Sequence, residues 1–312
     1  MQTVKEKTSY IKTRLYMGTI ISIKVVTEKP YSEVNYNINR AFKTFQKVEE
    51  ICSRFSDQSE VMQLLNNVGE QVKVSEILYQ AVRYACKVAE ITGGMFDPSI
   101  GQVLESKGFN RHYLTRNTVK STIAPSPSVS YEDIIFDDKN KTVTLMKPLI
   151  IDLGAVAKGF AIDLAANVLR IYEGFYIEAG GDIFAGGKNE QGRPWKIGIR
   201  CPFNKDNIIG VLEVSDKAVC TSGSYERVSP NDEKTHHLLN PKSGKSETKI
   251  ISSTVVAPFA MMADTLSTAA FILGEKKGIE LLEENGLAGL LLSPDRKLWM
   301  TKEMEGHLNA SK

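Results

Sequence analysis

IIDLGAVAKGFAIDLAANVLR, residues 150–170, is the stretch that decides how this chain reads. Its apolar start ends in Asp152-Leu153-Gly154, and the spacing predicts a helix almost at once, with Lys158 in its first turn. Val156, Phe160, Leu164 and Val168 recur every four residues, as one buried helical face requires. A strand that enters a helix through a glycine turn aims free backbone N–H groups and the positive end of the helix dipole at one point. Anions, phosphates above all, bind at such points. Lys158 would add a mobile positive charge there, and Asp152 a carboxylate at the strand end. The same residues also suit an ordinary strand–helix connection. A Walker loop is excluded, because four residues do not separate a first glycine from Gly-Lys-Ser/Thr. A dinucleotide fingerprint is excluded by the absence of its three-glycine spacing.

Upstream, Val34, Ile38, Ala41, Phe45 and Val48 mark a long amphipathic helix. A second helix is expected from about Ile77 to Thr92, stopped by Gly93-Gly94. Between them, SRFSDQSEVMQLLNN reads as a polar loop running into a short helix. The proline- and serine-rich residues 121–130 read as a linker. Short strands are predicted at Ile134–Phe136 and Thr142–Met146, joined by an Asp137–Asn140 turn. From residue 175 the pattern is rich in strands, followed by a long helix at roughly 259–273 and another near 277–285. Helices and strands mix without regular alternation, so the expected class is α+β with mainly antiparallel sheets. One domain over 1–312 is expected, with a division into two lobes meeting near 121–150.

Composition bounds the function. The chain has 312 residues, 42% hydrophobic and 24% charged, as a soluble globular protein should. Lysine and arginine number 39 against 37 acidic residues, and a net charge of +2 gives no reason to expect a nucleic-acid partner. No stretch approaches the ~20 apolar residues of a membrane span. The polar start MQTVKEKTSYIKTRLYMG lacks the apolar core of a secretory signal. The expected location is the cytoplasm, the alternative being export or lipid anchoring with the signal segment removed. Cys52, Cys86, Cys201 and Cys220 are scattered, which suggests free thiols rather than a zinc site or disulfide framework.

Four further segments could carry chemistry. In TGGMFDPSIG (92–101), glycines and a proline frame Met95-Phe96-Asp97, which suits the presentation of an aromatic edge to a flat ligand or a plain helix cap. In AGGDIFAGG (179–187), Gly180-Gly181 permits either close approach to a ligand or a tight bend before Asp182. In THHLLNPKSG (235–244), His237 could act as a base near neutral pH, held by the Asn240-Pro241 turn, or could be a satisfied core residue. In PFAMMADTLSTAAFILG (258–274), Asp264 stands in an otherwise apolar helix with Thr268 one turn on. That oxygen pair suits a hard cation such as Mg²⁺ or, equally, a carboxylate bonded to neighbouring backbone.

In this order, Met17-Gly18-Thr19, SRFSDQSE, TGGMFDPSIG, IDLGAVAKG, AGGDI, TSGSYER, HHLLNPKSG and ADTLSTAAFILG resemble the motifs of the ApbE family of FAD:protein FMN transferases. The resemblance covers nearly the whole chain. It implies an ApbE-like, T-fold-related α+β architecture. It also implies Mg²⁺-dependent transfer of FMN from the substrate FAD to a threonine or serine hydroxyl of an acceptor flavoprotein, releasing AMP. Rival readings are an FAD pyrophosphatase, which lets water attack, and a non-catalytic flavin-binding protein. By resemblance, Met17, Phe55, Met95, Phe96, Asp97, Asp152, Lys158 and Leu238 line the FAD site. The Ala155 carbonyl, Asp264 and Thr268 would hold the metal. Ser267 stands where relatives often carry an aspartate. His237 takes the family's position in the turn before Asn-Pro and would act on the acceptor hydroxyl. His236 is expected to tolerate alanine.

Overall fold

The computed structural model describes residues 7–111, 115, 117–119, 126, 128–204 and 206–309. A hairpin of β1 (Thr8–Tyr16) and β2 (Thr19–Thr27) leads into α1 (Tyr31–Cys52), α2 (Glu60–Leu65), β3 (Val72–Lys73), α3 (Glu76–Ile91) and α4 (Gly101–Ser106). β4 (Ile134–Asp137) and β5 (Thr142–Leu145) form a small sheet with β3 ahead of α5 (Ala157–Leu169). Then come β6 (Gly174–Ala179), β7 (Asp182–Gly187), β8 (Trp195–Arg200), β9 (Ile208–Val214) and β10 (Lys217–Gly223). Short β11 (Leu239–Asn240) and β12 (Lys245–Ser246) pair with each other before β13 (Ser252–Ala257). α6 (Ala260–Leu273), α7 (Glu275–Glu284), β14 (Ala288–Leu292), β15 (Leu298–Met300), α8 (Lys302–Glu305) and β16 (Leu308–Asn309) complete the order.

Eight strands form one sheet in the order β1-β2-β6-β7-β10-β13-β14-β15, antiparallel throughout. Alternation along β2 sends Ile21, Ile23 and Val25 to a large core on one face. Val26 falls in a second core with Trp195, Ile197, Leu212 and Met304, where the β8-β9-β16 sheet covers the other face. On the first face α1 packs on α5, α5 on α6, and α6 on β10 and β13. The middle strands β13 and β14 are buried along their whole length, as strands covered on both sides must be. This is the α+β architecture expected. Among the described residues no helix is long and apolar enough to cross a membrane.

Two local expectations change. The segment before Gly154 is not a strand of any sheet: Ile150 makes a single bridge to Ile100, and the Asp152 N–H donates to the Pro98 carbonyl at 2.8 Å. Leu149, Ile150, Ile151 and Leu153 are buried, so the apolar run is core filling clamped to the 97–101 turn. Second, α5 has no single buried stripe. Leu164 and Val168 are only partly buried, whereas Ala161, Ile162, Ala165 and Ala166 are fully so, because α1, α6 and strands β6 and β7 enclose the helix. Of the linker residues expected at 121–130, 121–125 and 127 lie outside the described residues.

Candidate active site

Two tight hairpins meet at one end of the large sheet. Met17 and Gly18, joining β1 to β2, have φ of 52° and 77°. Gly180 and Gly181, joining β6 to β7, have φ of 61° and 95°. Positive φ at both central residues matches the twist of the paired strands. A Cβ on Gly180 would stand 2.6 Å from Thr19 Oγ1, so the two turns abut. The glycine pair is therefore a bend, and it delivers Asp182 to a cleft.

That cleft has a volume of about 550 Å³. Met17, Phe55, Phe96, Asp97, Asp152, Ala155, Lys158, His237, Leu238, Asp264 and Thr268 all line it. Met95 is not among the lining residues. The turn is set instead by Asp97, whose two carboxylate oxygens accept from Ser99 N–H (2.8 Å) and Tyr131 N–H (3.1 Å). Burial raises the Asp97 pKa, and those N–H donors oppose the rise.

The charged floor is a knot of three residues. Lys158 Nζ bonds both Asp182 Oδ2 and Asp264 Oδ2, the latter at 3.0 Å. Asp182 Oδ1 accepts from Thr221 N–H at 3.2 Å, and Asp264 Oδ2 also accepts from Gly159 N–H at 3.2 Å. Both aspartates are nearly inaccessible, at 3% and 5% exposure, so one ammonium faces two buried carboxylates. A surplus negative charge in such a place calls for a further cation. Asp264 Oδ1 has no hydrogen bond among the described residues, and Thr268 Oγ1 lies one turn on, 2.9 Å from Ser222 Oγ. The Ala155 carbonyl is drawn to the same helix by Thr265 Oγ1 at 2.9 Å. Carboxylate, hydroxyl and carbonyl oxygens are hard donors of the kind Mg²⁺ takes. Among the described residues no three His, Cys, Asp or Glu side chains cluster to hold a metal by themselves. A cation at this floor would therefore rely on neutral oxygens and on ligand phosphates.

At the other end a buried arginine organises the wall. Arg54 Nε bonds Asp152 Oδ2, its Nη2 bonds the Phe109 carbonyl, and its guanidinium lies 4.3 Å from the Phe55 ring centre. Burial alone would raise the Asp152 pKa, but the Arg54 charge and hydrogen bond, the Gly154 N–H and Arg227 hold it below the usual value. Asp152 is thus a fixed anion, and Asp152 Oδ1 also ties the Gly154 turn at 2.8 Å.

The two histidines differ. His237 Nδ1 lies 3.2 Å from the Arg227 carbonyl, which can only accept, so Nδ1 carries the proton and Nε2 is the basic nitrogen. Burial, then the Arg227 charge, pushes its pKa down to about 3, so the ring is neutral near neutral pH. His236 is the reverse tautomer: Nε2 donates to the Glu247 carbonyl at 2.8 Å and Nδ1 accepts from Leu238 N–H at 3.3 Å. It is 7% exposed, with its ring edge-on to Phe271. This geometry gives His236 a structural part, so its replacement bears on stability and not on turnover. His236→Ala would strip the buried Leu238 N–H and the half-buried Glu247 carbonyl of partners and should cost about 1–3 kcal/mol. Thermal unfolding should show a clearly lowered midpoint; an unchanged midpoint would return His236 to the surface class.

Arg54, Asp182, Ser222 and Arg227 line the cleft without having been singled out for a role. Arg54 sits inside SRFSDQSE, where nothing local says that an arginine will be buried, and Arg227 inside TSGSYER. Asp182 carried a signal, a carboxylate directly after a glycine pair.

With this geometry in hand, known proteins can be set beside it. The family model described as ApbE family matches residues 17–291. An FAD:protein FMN transferase of Treponema pallidum is 30% identical over 320 residues, covering 93% of this chain and 86% of that protein. One of Haemophilus influenzae is 29% identical over 295 residues, covering 90% and 83%. Among solved structures, an ApbE protein of Thermotoga maritima superposes with a TM-score of 0.86 at 28% identity, over 97% of this chain and 100% of that one. The flavin transferase ApbE of Vibrio cholerae, at 23% identity and a TM-score of 0.82, shares the fold.

Proposed function

The chain belongs to the ApbE family, and from that premise we propose that it transfers FMN from FAD to a threonine or serine hydroxyl of an acceptor protein, releasing AMP. The observation that carries this reading is the knot at the cleft floor, where Lys158 is outnumbered by Asp182 and Asp264 beside the oxygens of Thr268 and Ala155. Those residues fit Mg²⁺: Asp264 and Thr268 would hold it with the Ala155 carbonyl, while the Ser267 hydroxyl is engaged by the Asp264 carbonyl and Ser222. When bound, the ion supplies positive charge to phosphate oxygens as they gain negative charge.

The chain's own residues would do the rest. Met17, Phe55, Phe96 and Leu238 give the cleft its apolar walls for a flat ring system, and Asp152, fixed by Arg54, offers a carboxylate for ligand hydroxyl or amino groups. Lys158, held between Asp182 and Asp264, adds a fixed positive charge beside the diphosphate. The acceptor oxygen forms a bond to the FMN phosphorus while the bond from that phosphorus to the bridging oxygen breaks, and AMP leaves with the electron pair. The acceptor proton goes to His237 Nε2. Positioning and electrostatics can carry most of such a transfer.

The test is incubation with FAD, Mg²⁺ and a threonine-bearing acceptor domain, followed by flavin fluorescence on a denaturing gel and measurement of AMP. Labelled acceptor with equivalent AMP is the expected result. Free FMN and AMP with no labelled acceptor would make the protein an FAD pyrophosphatase, and no AMP at all would make it a flavin binder.

A further inference from the structure

Helices α5 and α6 bring Lys158 and Asp264 together, and they touch backbone to backbone. A Cβ on Gly159 would stand 2.4 Å from the Ala260 carbonyl oxygen and 2.7 Å from Met261 Cα. Contact of this kind limits how closely the helices approach. It does not by itself fix how α6 is turned, and turning decides where Asp264 and Thr268 point.

The start of α6 has no cap of its own, because Phe259 occupies the N-cap position and makes no side-chain capping bond. The first N–H groups of a helix need acceptors from elsewhere. Here they come from α5: Asp163 Oδ1 accepts from Ala260 N–H at 2.7 Å, and Asp163 Oδ2 from Met261 N–H at 2.9 Å. Burial pushes the Asp163 pKa up to about 6 although both N–H donors and Arg170 oppose it. A carboxylate that accepts from the first two N–H groups of a neighbouring helix has a specific task. Asp163 is not among the cleft residues, so the task is not contact with a ligand.

We propose that Asp163 is a positioning residue for FMN transfer, which caps α6 from α5 and so fixes Asp264 and Thr268 against Lys158. The inference rests on the reading of the site given above. Asp264 lies about 6 Å along the axis from Ala260, within reach of any fraying at the helix start. Its carboxylate also takes the Gly159 N–H, so both ends of the first turn of α6 are tied to α5.

The test compares Asp163→Asn, which keeps the shape but retains one acceptor oxygen, with Asp163→Ala. Ile197→Val serves as the control, buried in the second core and outside the cleft. Its expected cost to stability is comparable with the loss of a helix cap. Each variant is assayed for labelled acceptor and for free FMN, and for amide exchange over 260–268. We expect Asp163→Ala to lower kcat on the order of 10- to 100-fold, with the KM for FAD close to wild type and Asp163→Asn less affected. Exchange should quicken at the start of α6 in both. Ile197→Val should keep its kcat at a similar unfolding midpoint.

Equal kcat losses in Asp163→Ala and Ile197→Val, or unchanged exchange at the start of α6, would overturn the proposal. A wild-type enzyme that releases FMN without labelling the acceptor would defeat the transfer reading alone. The ratio of variant to wild-type turnover would still judge Asp163, and the exchange pattern judges it independently of turnover.

Discussion

Asp264→Asn should abolish FMN transfer at ordinary Mg²⁺ while leaving the fold in place. The substitution keeps the shape but removes one of the two buried carboxylates around Lys158, so the surplus negative charge that calls for a cation disappears. Lys158 keeps its partner Asp182, and Gly159 N–H can still donate to an amide oxygen, so the unfolding midpoint should move little. The rate should fall by at least about 10²–10³-fold, the scale of losing one well-placed electrostatic stabiliser of a reacting centre. High Mg²⁺ should restore part of it, and Thr268→Val, which removes only a neutral oxygen, should be milder. A Mg²⁺ titration of rate, paired with calorimetric Mg²⁺ binding, checks the claim. Near-normal turnover with an unchanged Mg²⁺ requirement would make Asp264 a structural hydrogen bonder.

His237→Ala should cut turnover by about 10²–10⁴-fold, the range for a positioned proton acceptor, with FAD affinity close to wild type. The pH dependence has a definite sign. Because the His237 pKa is lowered to about 3, its ring is already neutral well below pH 7 and gains a proton only as pH falls toward that value. The kcat/KM profile of the wild-type enzyme should therefore show no acid limb from His237 between about pH 5 and 8, where an unperturbed histidine would titrate. A loss of FAD binding with turnover of bound FAD intact would refute the role, whereas a wild-type acid limb near 6.5 that His237→Ala removes would overturn the lowered pKa and leave the role standing.

The legible parts of this site are those where a residue contradicts its local setting. Asp264 in an apolar helix, Lys158 just after a glycine turn and a histidine pair among turn formers each stand out within a window of a few residues. The long helices were legible for the same reason, since Ile38, Ala41, Phe45 and Val48 repeat at helical spacing along α1. What stayed hidden depends on distant partners. His236 reads like His237 until Glu247 and the Leu238 amide are placed on its two nitrogens. Arg54 becomes an organiser only because Asp152 and Phe109 come to it from far along the chain. β1 shows little alternation because it is an edge strand with most residues exposed, so threonine, lysine and arginine mask the strand period. The run before Gly154 misleads in the opposite sense, since burial without a paired neighbour looks like a strand interior.

The cleft draws its residues from both ends of the chain, from the Met17 hairpin to Thr268 on α6. In the large sheet β2 lies between β1 and β6, so it must wait for residues more than a hundred positions later before it has a neighbour on both sides. Pairings over such separations are slow to close. On a ribosome, the cleft is incomplete until the segment bearing Asp264 and Thr268 has emerged. Recovery of FAD binding should accordingly lag behind recovery of helical signal during refolding, which makes the ligand a reporter of the last long-range closure.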